Sequence, residues 1–124
     1  RGEYTNYALR STPDLVKQRY FRQQGPLFLL DEEIRSMVSF EALNLKDRYA
    51  MRRHGQWDVI FCRNVMIYFD EEMRRGCLRT FDELLTDDGF LLIGHSESLR
   101  QMEGSFQPVP LPQAFCYRKG VAGR

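Results

Sequence analysis

The chain has 124 residues, 43% of them hydrophobic, which is the length of one domain and enough apolar material for a buried core. Lys and Arg total 18 against 17 Asp and Glu, a formal charge of +1, and no basic stripe of the kind that nucleic acid binding needs is present. Apolar runs reach only four or five residues and the N-terminus is too polar for a signal peptide, so no membrane insertion is expected and a soluble cytoplasmic protein is the simplest reading.

Cys62, Cys77 and Cys116 are an odd number without close pairs, which fits neither a disulfide framework nor a zinc site and predicts three reduced thiols. The chain opens "RGEYTNYALRST" without an initiator Met, so a piece of a longer protein is expected.

In chain order, Thr12, Pro13 and Asp14 form a helix start, continued by Leu15, Val16 and Arg19 to Phe21. "RYFRQQGPLFLL" and "MVSFEALNL" then read as strands, separated by Gly25-Pro26 and by the charged "DEEIRS". A small antiparallel β-subdomain is predicted there, at about residues 20–40.

Trp57 to Cys62 is a short continuous run of β-formers, the pattern of a strand covered on both faces in a parallel sheet. Asp70 offers a helix cap, with Glu71 and Glu72 in the first turn, where negative charge suits the helix dipole. Met73, Cys77, Leu78, Phe81, Leu84 and Leu85 recur at helical spacing and predict the face that packs on the sheet. "TDDG" is expected to stop the helix at Gly89 and lead into a strand from Phe90 to Ile93. This makes one βαβ unit with a right-handed crossover. The polar turn "HSES" then opens a short helical stretch near Leu99 to Met102. Phe106 to Val109 and Ala114 to Arg118 predict an antiparallel pair at a sheet edge, hence a mixed sheet.

Open α/β sheets bind ligands outside the carboxyl ends of their strands. Arg63 and Asn64 stand at such an end, and "GHSE", Gly94 to Glu97, ends the next strand on the same side. The Asn64 amide can serve a polar ligand as donor and acceptor, or it can simply hydrogen-bond the turn that follows the strand. His95, Ser96 and Glu97 are the residue types of a hydrolase triad, but consecutive side chains point apart and cannot form a relay. Cys62 reads as a small buried hydrophobe in preference to an activated thiol. Arg74 and Arg75 read as a solvated helix face in preference to a surface for an acidic receptor.

"FCRNVMIYFD" and "LLTDDGFLLIGHSESL" closely resemble the chemotaxis receptor methyltransferases of the CheR type, which esterify glutamate side chains of chemoreceptors with S-adenosylmethionine. "RYFRQQG", "VSFEALNL", "WDVIFCRN" and the final "FCYRK" follow in the family's order, so nearly the whole chain is covered. The resemblance implies a Rossmann-like class I methyltransferase sheet, represented by its C-terminal half over residues 1–124, together with the β-subdomain.

It further implies that Asn44 and Leu45 lie against the adenine end of the cofactor. Asn64 and Val65 would stand beside its amino acid portion and sulfonium, and Tyr68 would line the methyl transfer site and steer the incoming carboxylate. The alternative for Tyr68 is a core tyrosine at the rim of the sheet. The implied product is S-adenosylhomocysteine. The implied partner is the cytoplasmic domain of a chemoreceptor, whose C-terminal peptide some family members hold by strand addition to the segment matching residues 20–40.

The family's Gly-rich first loop, the acidic residue after its second strand and its catalytic Arg have no counterpart here, and no G-x-G pattern occurs. A C-terminal fragment is therefore expected, inactive by itself, with exposed sheet edges and with "VSFEALNL" separated from "WDVIFC". No metal or general base is needed, because a glutamate is already ionised at pH 7 and positioning alone can supply roughly 7 to 11 kcal/mol. The alternatives are a non-catalytic docking or signalling module derived from that fold, and an unrelated nucleotide-binding enzyme such as a dehydrogenase.

Overall fold

The computed structural model describes residues 1–94 and 106–119. The chain divides into two compact units, Arg1–Ala42 and Leu43–Arg124, each built around its own sheet.

In the first unit, strand β1 (Glu3–Thr5) leads to helix α1 (Asp14–Tyr20), strands β2 (Phe21–Gln24) and β3 (Leu27–Leu30), and the one-turn helix α2 (Glu32–Arg35). The sheet is antiparallel in the order β1-β3-β2, with Glu3 opposite Leu29 and Phe21 opposite Leu30. Gly25, at φ 59°, supplies the positive φ that a two-residue hairpin loop puts at its first position, and Pro26 completes the loop. Helix α1 starts where Thr12-Pro13-Asp14 predicts, with the Pro13 carbonyl accepting from the amides of Val16 and Lys17. It stops one residue sooner than expected: Phe21 is extended, pairs with Leu30 and meets the Tyr4 ring edge-to-face at 5.7 Å. The segment "MVSFEALNL" is not a strand, because a lone extended segment has no ladder to join, and Met37, Val38 and Phe40 stand exposed.

The second unit runs through helix α3 (Arg48–Arg52), strand β4 (Trp57–Cys62), a single 3-10 turn (Met66–Tyr68), helix α4 (Glu71–Leu84) and strands β5 (Leu85–Ile93), β6 (Phe106–Val109) and β7 (Phe115–Lys119). The strand order is β4-β5-β7-β6. Strands β4 and β5 are parallel and the other pairs antiparallel, the mixed sheet that the sequence predicts. Asp70 caps α4 by accepting from the Met73 amide at 2.8 Å, and Cys77, Leu78, Phe81 and Leu84 are buried as their spacing requires. They join Leu85, Leu91, Ile93 and Tyr117 in the core, where each fully buried aliphatic side chain contributes roughly 1.5–3 kcal/mol. Thr80 shares that face because α3 docks there: its hydroxyl donates to the Gly76 carbonyl at 3.0 Å and accepts from Arg48 Nε at 3.2 Å.

Two expectations are corrected here. The helix does not run to Gly89; it ends at Leu84, and Leu85 already begins the strand. Two residues of β4 span what takes five in β5, from the Trp57–Leu85 pair to the Val59–Phe90 pair, so "TDDG" forms an irregularity within β5 and not a helix stop. Gly89 is needed there for space, since an added Cβ would lie 2.9 Å from both Leu85 Cδ2 and the Thr86 carbonyl oxygen. Strand β4, in turn, is not covered on both faces. Ile60 and Cys62 meet the core, but Trp57, Val59 and Phe61 are 49%, 43% and 67% exposed, and β4 is an edge of the sheet. Sequence alone cannot tell a strand whose second cover is absent from one that has it.

The short helix expected near Leu99 to Met102 lies outside the described residues. Cys62, Cys77 and Cys116 are buried and form no disulfide among the described residues. Among the described residues no helix is long and apolar enough to cross a membrane, and no group of three or more His, Cys, Asp or Glu is placed to hold a metal ion.

Candidate active site

Because β4 and β5 are parallel and in register from Val59–Phe90 to Cys62–Ile93, both strands leave the sheet at the same end. Gly94 follows β5 there and is buried; the remainder of "GHSE" lies outside the described residues. At the end of β4 the chain must turn back towards α4, and Asn64 makes the bend at φ 60°. Asparagine is among the few non-glycine residues that take this left-handed conformation at small cost, so the backbone by itself explains its residue type. The side chain is nevertheless at the surface, as is that of Val65.

The turn that follows sorts its residues sharply. Met66 is 1% exposed and anchors the turn in the core, whereas Tyr68 is 82% exposed. The Tyr68 amide donates to Val65 O at 3.2 Å and the Phe69 amide to Met66 O at 3.1 Å, closing the turn just before the Asp70 cap. Tyr68 is therefore outside the buried core of the described residues, against the alternative reading of it as a core tyrosine.

Asn44 and Leu45 sit in the loop that enters α3. The Asn44 side-chain oxygen accepts from the Lys46 amide at 2.9 Å and its carbonyl accepts from the Asp47 amide at 2.9 Å, while Asp47 caps α3 through the Ala50 amide at 2.9 Å. Leu45 is half-buried against the core, and its carbonyl accepts from the Cys77 thiol at 3.5 Å. Burial pushes the Cys77 thiol above its ordinary pKa. The loop and α4 border a groove of about 400 Å³ lined by Leu45, Lys46, Arg48, Met73, Gly76 and Arg79 among others. Asn64, Val65 and Tyr68 do not line that groove, so it does not bring the two pairs of predicted cofactor residues together.

The α3–α4 contact combines the buried Met51 with ion pairs. Arg52 grips Glu83 with two hydrogen bonds, 2.7 Å from Nε and 3.1 Å from Nη2, and Arg48 lies 3.8 Å away. The Arg52 hydrogen bond holds the Glu83 carboxyl below the usual carboxylate range and raises the guanidinium in turn.

Arg74 and Arg75 are not one solvated face. Arg75 pairs with Glu71 at 2.7 Å, but the half-buried Arg74 reaches back to the carbonyls of Met66 and Phe69. Sequence reasoning missed this contact. The available signal was a cation in the first turn of a helix, the end where the dipole favours anions.

The chain matches the family model "CheR methyltransferase, SAM binding domain" over residues 1–115. It is 40% identical over 119 residues to Chemotaxis protein methyltransferase 1 of Pseudomonas aeruginosa, covering 94% of this chain and 43% of that protein. It is 41% identical over 110 residues to the Chemotaxis protein methyltransferase of Escherichia coli, covering 85% and 38%, and 34% identical over 126 residues to Chemotaxis protein methyltransferase 2 of Vibrio cholerae, covering 100% and 43%. The chain thus spans about two-fifths of the length of these curated relatives. With residues 1–115 of its 124 matched by the family model, the chain belongs to the S-adenosylmethionine-binding domain family of the CheR methyltransferases.

Proposed function

We propose that the protein to which this sequence contributes transfers methyl groups from S-adenosylmethionine to glutamate side chains of chemotaxis receptors in the cytoplasm. The match to the methyltransferase domain over residues 1–115 carries this reading. The finer fold that goes with it is a class I, Rossmann-like sheet with a right-handed β4-α4-β5 crossover, in which residues 1–124 form the C-terminal part of the domain and residues 20–40 belong to its β-subdomain.

The side chains present suit such a cofactor. Asn44, Leu45, Asn64, Val65 and Tyr68 are all uncharged, so none of them repels a sulfonium, and all but the half-buried Leu45 are exposed. Leu45 offers apolar surface to the adenine, and Asn44, its oxygen engaged by the Lys46 amide, keeps its NH2 end to donate. Asn64 and Val65 border the amino acid portion and sulfonium. When bound, the cofactor supplies an electrophilic methyl carbon, to which a glutamate oxygen bonds as the carbon–sulfur bond breaks and sulfur keeps the electron pair. Tyr68 donates its hydroxyl to that carboxylate and aims one oxygen along the line of attack. No general base is required, and orientation supplies most of the rate.

The receptor's cytoplasmic domain is the substrate, and an extended C-terminal peptide joins the β2 edge of the first sheet by strand addition. That free edge also favours a second reading, a receptor-docking module without catalysis. Calorimetry of the intact protein with S-adenosylhomocysteine, together with methyl transfer from labelled cofactor to receptor fragments, separates the two. Binding with transfer supports the enzyme. Capture of the receptor without cofactor binding or transfer supports the docking module.

A further inference from the structure

Helix α4 carries its charges in an uneven way. Glu71 and Glu72 stand in the first turn, where a helix favours anions, yet Arg74 stands only two residues after Glu72, near the end where a cation is disfavoured. Its guanidinium is half-buried and does not join the acidic residues around it; Arg75 pairs with Glu71 instead. Arg74 Nη2 donates to the carbonyl oxygens of Met66 and Phe69, each at 3.3 Å. These two residues bracket the 3-10 turn that carries Tyr68.

The turn needs such a clasp. It is three residues long, and 3-10 segments have poorer hydrogen-bond geometry than α-helix. Met66 pins its first residue in the core and Asp70 caps the helix behind it, but among the described residues Tyr68 is left 82% exposed. Hydrogen bonds from a charged donor are the stronger kind, and a single guanidinium nitrogen with two hydrogens can hold both carbonyls at once.

We propose that Arg74 is a positioning residue for methyl transfer: by clasping both ends of the Met66–Phe69 turn it fixes the Tyr68 hydroxyl, and it acts through Tyr68 without touching either reactant. This rests on the role given to Tyr68 under the proposed function. Lysine is not an equivalent, because its compact ammonium on a flexible stem lacks the planar fork.

The test uses the intact protein with Arg74→Met, Arg74→Lys, Tyr68→Phe and the double variant Tyr68→Phe/Arg74→Met. Amide exchange at Tyr68 and Phe69 reads the clasp, and exchange at Leu91 in the core reports that the fold is kept. Arg74→Met is expected to speed exchange at the two turn amides about tenfold with Leu91 unchanged, and to lower kcat about tenfold while KM for the cofactor stays within about twofold, as loss of orientation alone predicts. Arg74→Lys should recover part of both effects. In the Tyr68→Phe background, Arg74→Met should cost less than about twofold further, because the two residues act as one unit.

Unchanged exchange at Tyr68 and Phe69 in Arg74→Met would overturn the clasp, and a full additional tenfold loss on top of Tyr68→Phe would overturn its action through Tyr68. Full activity of Tyr68→Phe alone would remove the parent assignment and its catalytic consequence, an outcome that the exchange data distinguish from failure of the clasp.

Discussion

Among the described residues of the second unit Lys119 is the buried charged one, and its substitution separates two interactions that the sequence cannot rank. It ends β7 opposite Phe106, with a side chain only 9% exposed, and Nζ donates to the Leu85 carbonyl at 2.9 Å. The Asp87 carboxylate is 3.9 Å from the same nitrogen but is 93% exposed. An ammonium-to-carbonyl hydrogen bond contributes about 1.5–3 kcal/mol, whereas an ion pair with an exposed partner contributes about 0–1 kcal/mol. The carbonyl bond should therefore dominate. It secures the start of the irregular stretch of β5, next to a leucine that is 0% exposed. Lys119→Met keeps most of the stem, removes the donor and also relieves the cost of burying a charge, so a net loss of about 1–3 kcal/mol is expected. Asp87→Asn should cost less than about 1 kcal/mol. Urea denaturation of the intact protein, compared at equal slope, measures both. Equal losses for the two variants, or no loss in Lys119→Met, would refute the ranking.

Three further outcomes follow from the same packing. Phe81→Ala, at a site 4% exposed between α4 and the sheet, should lower stability by about 3–5 kcal/mol in the same denaturation assay. Asp70→Ala removes the cap on the Met73 amide and should cost about 1 kcal/mol, and Asp70→Asn much less because it retains an acceptor oxygen. The Glu83 carboxyl is held below its ordinary pKa by Arg52, so its contribution is complete above the unfolded carboxylate value of about 4.3 and is lost as pH falls through the lower folded value. The gap in denaturation midpoint between the native protein and Glu83→Gln should thus close on going from pH 7 to pH 3; a gap that persists or widens in acid would contradict the assignment.

Much of the second unit was legible because its residues act locally. Asp70, the spacing from Cys77 to Leu84, and the apolar run into Ile93 each dictate structure within one turn or one strand, and the start of α4, the Phe90–Ile93 part of β5 and the β6-β7 pair stand close to where they predict. The errors arose where a distant partner decides. "TDDG" has the composition of a stop, but pairing of Leu85 with Trp57 draws it into the strand. "VSFEALNL" alternates like a strand and stays irregular for want of a neighbour. At the candidate site, sequence singled out Asn64 and Tyr68, and the structure adds the left-handed bend at one and the exposure of the other. It could not show that Asn44 spends its side-chain oxygen on its own loop, or that Arg74 reaches backwards, since both contacts depend on where a chain reversal brings main-chain atoms.

The native thiols of this chain lend themselves to spectroscopy. Cys62, Cys77 and Cys116 are 6%, 2% and 4% exposed, so all three are shielded, and burial also pushes the Cys77 and Cys116 pKa values up. Maleimide dyes or spin labels attack thiolates. A single cysteine placed at a surface position such as Tyr49, which is 81% exposed, would outcompete them, so a distance probe could be attached without first stripping the interior of its sulfur.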